Sequence, residues 1–258
     1  MFVDTLNEQI KQKRSLLCVG LDSDIRRIPN ILLSEVDPLY SFNRAIIEAT
    51  HDLVLGYKLN LAFYESLGIP GWELLERTLS IIPRDCLVIA DAKRGDIENT
   101  SQKYAETYFK TYNFDAVTVS PFMGTDSVKP FLEYEHKGVF ILCLTSNPGS
   151  ADFQMLNCDD QPLYVRIAEK ALEWNFLYGN CGLVVGGTHT NEMQQIREVA
   201  PTLPFLIPGI GAQGGNLELV IKYATDANGF STVINVSRSV IYASRDMDFA
   251  EVARERAR

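Results

Sequence analysis

Short apolar runs alternate with longer stretches of mixed character along the whole chain. Eight runs read as strands: 16–21, 53–59, 87–90, 116–119, 139–144, 183–185, 205–207 and 232–236. They are nearly continuous in apolar residues, as strands covered on both faces are. Between them, apolar residues recur at helical spacing. Phe42, Ala45, Ile46 and Ala49 show it in one segment, and Leu163, Ile167, Ala168, Ala171 and Leu172 in another. Strand, helix, strand, repeated, implies a parallel sheet, because parallel neighbours need long crossovers. Eight such units in about 250 residues predict an α/β fold, a single (β/α)8 TIM barrel. An open doubly wound sheet is the alternative. Phe2, Val3, Leu6 and Ile10 predict an additional N-terminal helix. No linker, low-complexity segment or second domain interrupts the pattern, so residues 1–258 read as one catalytic domain.

Composition narrows the class. The chain is 46% hydrophobic and 258 residues long, enough for one large core. A net charge of -9 argues against a nucleic-acid footprint, although a local basic pocket for a phosphate stays compatible with it. No run of about 18 apolar residues exists to span a membrane. The start, Met1-Phe2-Val3-Asp4-Thr5-Leu6, lacks the basic-then-apolar pattern of a secretory signal, so a cytoplasmic location is expected. Cys18, Cys86, Cys143, Cys158 and Cys181 are scattered and odd in number, which suits reduced thiols and disfavours zinc. The three histidines are not spaced as a metal cluster or a triad. His51 and His136 read as solvated. His189 follows Gly186-Gly187-Thr188, which leaves a place near a site mouth open as the lesser alternative.

The polar residues at strand ends carry the chemistry. Asp22 follows the first run, Lys58 and Asn60 end the second, and Asp91, Lys93 and Asp96 end the third. Thr145 and Ser146 end the fifth, Gln213 follows the seventh and Arg238 the eighth. In a barrel they converge at the C-terminal mouth, where such enzymes work. The stretch Asp91-Ala92-Lys93-Arg94-Gly95-Asp96 is the most pointed case. Charges gathered at the end of a buried strand suggest a site, and Asp91 and Lys93 share one side of the chain. Asp96 could also cap a helix that begins with Ile97 and runs through Tyr104 and Phe109, with Thr100 one turn on. Neighbouring carboxylates should keep Lys58 and Lys93 protonated. A protonated lysine donates a proton and is a poor nucleophile, which argues against a Schiff-base aldolase. Pro208-Gly209-Ile210-Gly211-Ala212-Gln213-Gly214-Gly215 reads as a glycine-rich turn entering a helix, suited to a phosphate. Arg238 would add a forked, charge-assisted contact. A dinucleotide fingerprint fits poorly, because no βαβ unit with a ribose-binding acid follows the turn.

Six elements together resemble the orotidine 5′-phosphate decarboxylase family. They are Gly20-Leu21-Asp22-Ser23, Lys58-x-Asn60-x-Ala62-Phe63-Tyr64-Glu65, Asp91-x-Lys93-x-x-Asp96-Ile97-x-x-Thr100, Thr145-Ser146-Asn147-Pro148-Gly149, the 208–215 turn and Arg238. They span nearly the whole chain in order, and the third and fourth are similar to the longer bacterial branch. Ser237 departs from the glycine that many members place before the phosphate arginine.

The resemblance implies roles. Asp91 would face the substrate carboxylate, and Lys93 would protonate C6 of orotidine 5′-monophosphate as carbon dioxide leaves. Lys58 and Asp96 would complete the charge array and bind ribose hydroxyls. Asp22 would bind ribose and Ser146 the pyrimidine, and Gln213 and Arg238 would hold the phosphate. Asn60, Thr100 and Pro208 would be further substrate contacts. No cofactor or metal is needed in this scheme. A homodimer is implied, with Asp96 and Thr100 crossing into the partner's site. Two rival readings stand beside it. One is a metal-dependent sugar-phosphate decarboxylase or synthase on the same barrel, which two lysines at the mouth disfavour. The other is a non-catalytic nucleotide-binding barrel, which would need neither Asp91 nor Lys93.

Overall fold

Each of the eight apolar runs forms a strand, and the strands pair in parallel into a closed barrel in the computed structural model, which describes residues 1–211 and 215–258. The barrel strands are β1 (Leu17–Gly20), β2 (Gly56–Asn60), β3 (Leu87–Arg94), β4 (Ala116–Val119) and β5 (Gly138–Leu144). A small antiparallel hairpin follows, β6 (Asn157–Cys158) with β7 (Gln161–Pro162). Then come β8 (Cys181–Val185), β9 (Phe205–Ile207) and β10 (Thr232–Val236), and β10 pairs with β1 to close the ring. Closure rules out the open sheet. No helix among the described residues is long and apolar enough to cross a membrane.

The helices wrap the barrel for reasons visible locally. Helix Pro38–Thr50 starts where the Asp37 carboxylate accepts from the Tyr40 N–H, with proline in its first turn. Its Phe42, Ile46 and Ile47 are buried against the barrel. Helix Leu163–Tyr178 stops at Gly179, which takes the left-handed conformation (φ 73°) that a β-carbon disfavours.

The N-terminal helix, Phe2–Lys13, stoppers one end of the barrel. Phe2, Leu6 and Ile10 pack on inward-facing side chains that include Cys18, Leu87, Ile89, Ala116, Phe140 and Val233. Phe2 meets Phe140 edge to face, with centroids 6.2 Å apart. Position 138 is glycine because a β-carbon there would lie 2.3 Å from Phe2 Cζ. Burying each such side chain stabilises by about 1.5–3 kcal/mol. With this end filled, the C-terminal ends of the strands are left to carry the chemistry.

Several expected boundaries move, three of them for a visible local reason. β2 starts at Gly56, not at 53, because the Leu53 N–H still closes the preceding helix on the Thr50 carbonyl. β3 continues through its charges to Arg94 instead of stopping at 90. Asp91 stays in the ladder opposite Asn60 of β2, since its charge finds partners inside the barrel. Asp96 does not cap the next helix. That helix runs Glu98–Glu106 with Ile97 at its N-cap, and the Asp96 carboxylate instead accepts from the adjacent Ile97 N–H (2.8 Å). The backbone continues through Phe109 as a π-helical turn, Thr107–Thr111.

Candidate active site

Period-two alternation places Leu87, Ile89 and Asp91 on the inner face of β3. The first two join the apolar filling, and Asp91 emerges above it. Lys58 reaches the same level from β2 and is 4% exposed. Its ammonium donates to Asp91 Oδ2 at 2.7 Å. Lys93, about half exposed, donates to Asp91 Oδ1. Both carboxylate oxygens are therefore held by lysines.

Burial works against the charge on Asp91, but Lys58 and Lys93 outweigh it and hold the carboxyl below the usual carboxylate range. Burial likewise opposes the charge on Lys58, and Asp91 and Asp22 overcome it and raise its pKa. A depressed carboxyl contributes stability above its unfolded pKa of about 3.9, lost as pH falls through the lower folded value. A raised lysine contributes below its unfolded pKa of about 10.4, lost as pH rises through the higher folded value. The Asp91–Lys58 pair therefore contributes its full stabilisation from about pH 4 to about pH 10. Removing one partner of a buried pair typically costs about 3–5 kcal/mol, because the other charge stays buried alone.

A polar cleft opens beside this pair. It is lined by Asp22, Lys58, Asn60, Asp91, Pro208 and Arg238 from the expected set, with Gly209, Ile210, Asn235, Ser237 and Ser239. Asp22 is set in place through its backbone. Tyr242 Oη donates to the Asp22 carbonyl (2.9 Å), and Tyr64 Oη to that of Leu21 (3.1 Å). Asp22 Oδ1 is buried with no hydrogen-bond partner among the described residues. Asn235 Oδ1 is in the same condition. Two such acceptors in one cleft suit the hydroxyl donors of a bound ligand.

The far end of the cleft suits an anion. Gly209 and Gly211 adopt positive φ (95° and 84°), which glycine tolerates. Arg238 follows β10 and is exposed, and no hydrogen bond holds its guanidinium among the described residues. Ser237 sits at φ −118°, outside the left-handed region that favours glycine, and its hydroxyl donates to the Gly20 carbonyl (3.0 Å), tying β10 to β1. The helix after the glycine turn starts only at Leu217, and the Asn216 side chain already accepts from its Leu219 N–H. Among the described residues the cleft is walled by the Pro208–Ile210 and Ser237–Ser239 segments, not by that helix end. Gln213 lies outside the described residues.

Besides Lys93, which is not in the cleft lining and meets it through Asp91, three expected residues stand off this cleft. Ser146 follows β5, on the side of the mouth where the Gly186 N–H meets the Leu144 carbonyl (2.7 Å). His189 reaches the same corner, its Nε2 3.1 Å from the Thr145 carbonyl, and Gln154 Oε1 accepts from the Thr145 N–H at 2.7 Å. Asp96 is half-buried and Thr100 exposed.

Sequence reading missed Asn235 and Thr118. Thr118 is 1% exposed and donates to Asp91 Oδ1 (3.1 Å). Both stand two residues beyond a core-facing apolar residue, Val233 in β10 and Ala116 in β4. The alternation that exposes Asp91 also exposes them, but they carry no charge to draw attention.

A closed parallel barrel with an ion-pair array and an anion seat at its C-terminal mouth defines a TIM-barrel enzyme for a small anionic substrate. Residues 15–254 match the orotidine 5′-phosphate decarboxylase / HUMPS family. The orotidine 5′-phosphate decarboxylase of Dehalococcoides mccartyi strain BAV1 is 50% identical over 260 residues, covering 99% of this chain and 94% of that protein. That of Flavobacterium johnsoniae is 49% identical over 264 residues, covering 100% and 94%. The solved Leishmania donovani OMP decarboxylase superposes with a TM-score of 0.86 at 42% identity, covering 98% of this chain and 95% of that one. The chain belongs to the orotidine 5′-phosphate decarboxylase / HUMPS family. It is a carboxy-lyase that converts orotidine 5′-monophosphate to uridine 5′-monophosphate, the final step of de novo pyrimidine nucleotide synthesis.

Proposed function

We propose that the Asp91–Lys58–Lys93 array performs this decarboxylation without cofactor or metal. The carrying observation is that Asp91 is gripped by two lysines inside the mouth. In this reading the bond from C6 to the carboxylate carbon breaks, carbon dioxide leaves, and the electron pair stays on C6. The Lys93 ammonium stabilises that charge as it develops and then gives C6 a proton, and solvent reprotonates the lysine. Two unit charges 4 Å apart interact by about 4 kcal/mol at an effective dielectric of 20. Enzymes lower barriers by about 8–23 kcal/mol, so fixed geometry and phosphate binding supply the rest. Asp91 faces the substrate carboxylate. Asp22, Lys58, Asn60 and Asp96 serve the ribose, Ser146 the pyrimidine, and Pro208, Gln213 and Arg238 the phosphate end. A metal-dependent sugar-phosphate reading is less well supported, because both Asp91 oxygens already bind ammonium groups.

The working unit in this reading is one catalytic domain over residues 1–258, acting in the cytoplasm as a homodimer. The five cysteines are free thiols, which suits that compartment. Asp96 and Thr100 stand outside their own cleft, beside exposed Ile97, with Phe122 and the Gly95 neighbour Met123 also exposed. Such an apolar surface favours cover by a second copy.

Mixed subunits test the shared site. Lys93→Ala and Asp96→Ala homodimers should each be inactive. After exchange, a heterodimer collects both lesions in one site and neither in the other. Random exchange should then restore roughly a quarter of wild-type activity if sites act independently. Verified exchange without recovery would show that Asp96 acts within its own chain.

A further inference from the structure

The ladder between β3 and β4 slips at the site. Ala90 pairs with Val117 and Arg94 with Val119. One residue of β4, Thr118, therefore faces three of β3: Asp91, Ala92 and Lys93. A bulge of this kind takes backbone groups out of regular pairing. Lys93 pays in conformation as well, with φ at 48°, a region that residues with a β-carbon rarely adopt. Its N–H would lose a ladder partner, and the Thr118 hydroxyl replaces that partner. The Lys93 N–H donates to Thr118 Oγ1 at 2.9 Å, and Thr118 Oγ1 donates to Asp91 Oδ1 at 3.1 Å. One hydroxyl thus fixes the Lys93 backbone and the rotation of the Asp91 carboxylate together. It does so from full burial, where water cannot take its place.

We infer that Thr118 is a positioning residue for the decarboxylation. It holds the left-handed turn at Lys93 and the Asp91 carboxylate in the one mutual arrangement that brings the Lys93 ammonium onto Asp91. This rests on the assignment of Asp91 and Lys93 to the chemistry. Both hydrogen bonds run through Oγ1, so the hydroxyl is the part that acts. Valine keeps the shape and removes both hydrogen bonds, whereas serine keeps both.

The test compares Thr118→Val and Thr118→Ser in steady-state turnover of orotidine 5′-monophosphate, with uridine 5′-monophosphate affinity measured by calorimetry. Losing a hydrogen bond to a charged group corresponds to about a 10- to 150-fold effect. Thr118→Val should therefore lower kcat about 10- to 100-fold, with KM and product affinity within about threefold. Thr118→Ser should recover kcat to within about threefold of wild type. Should the valine variant not fold, Thr118→Ala against Thr118→Ser makes the same comparison. Wild-type kcat without the hydroxyl, or a serine variant as impaired as the valine one, would overturn the inference. A loss of product affinity matching the loss of kcat would also overturn it, since that is a general collapse of the site. The underlying assignment fails separately, if Lys93→Ala retains turnover.

Discussion

Lys93→Ala is expected to lower turnover at least about 1,000-fold while the protein stays folded. Lys93 is the proposed proton donor at C6, and the same ammonium offsets the developing charge. General acid catalysis typically contributes about 10²–10⁴-fold, and one lost electrostatic contact about 10²–10³. These effects act through one group, so they do not simply multiply. The fold should survive because Lys93 is half exposed and Asp91 keeps Lys58 and Thr118 as partners. Single-turnover kinetics with a chemical denaturation curve check both halves. More than about a tenth of wild-type turnover, a barrier change under about 1.4 kcal/mol, would remove Lys93 from the role.

The second large effect falls on affinity. Arg238→Ala should weaken binding of orotidine 5′-monophosphate about 10- to 150-fold and leave binding of orotidine nearly unchanged. A hydrogen bond to a charged group is worth roughly 1.5–3 kcal/mol. Arg238 lines the cleft beside Gly209 and Ile210, with no hydrogen bond to its side chain among the described residues. Competition binding with both ligands reads the difference directly. Equal losses for nucleoside and nucleotide would place Arg238 away from the phosphate.

The barrel was legible because parallel strands covered on both faces leave unbroken apolar runs, and the runs at 116–119, 205–207 and 232–236 coincide with β4, β9 and β10. β3 was cut short because a run defined by apolar residues ends at the first charge. Asp91 nevertheless stays in the ladder, since the barrel interior supplies Lys58 and Thr118 to satisfy it. The charged half of the site was readable one residue at a time. A charge at the end of a buried strand needs a reason.

The neutral half was not readable in that way. Thr118 and Asn235 look like ordinary strand residues until the closed barrel shows which side faces inward. The bulge opposite Thr118 has no signature in sequence either, because it follows from the pairing of β3 with β4. The helix-cap expectation for Asp96 failed for a related reason. A cap must reach an N–H two or three residues ahead, and the chain turns so that this carboxylate meets the adjacent N–H instead.

The central claim is that lysines and aspartates alone, with no metal, drive the loss of carbon dioxide. The most direct measurement is turnover of orotidine 5′-monophosphate by protein dialysed against EDTA, followed by its absorbance, before and after Mg²⁺ is added back. The account predicts full turnover after chelation and no gain on adding Mg²⁺. Turnover abolished by chelation and restored by Mg²⁺ would contradict it and favour metal-held chemistry.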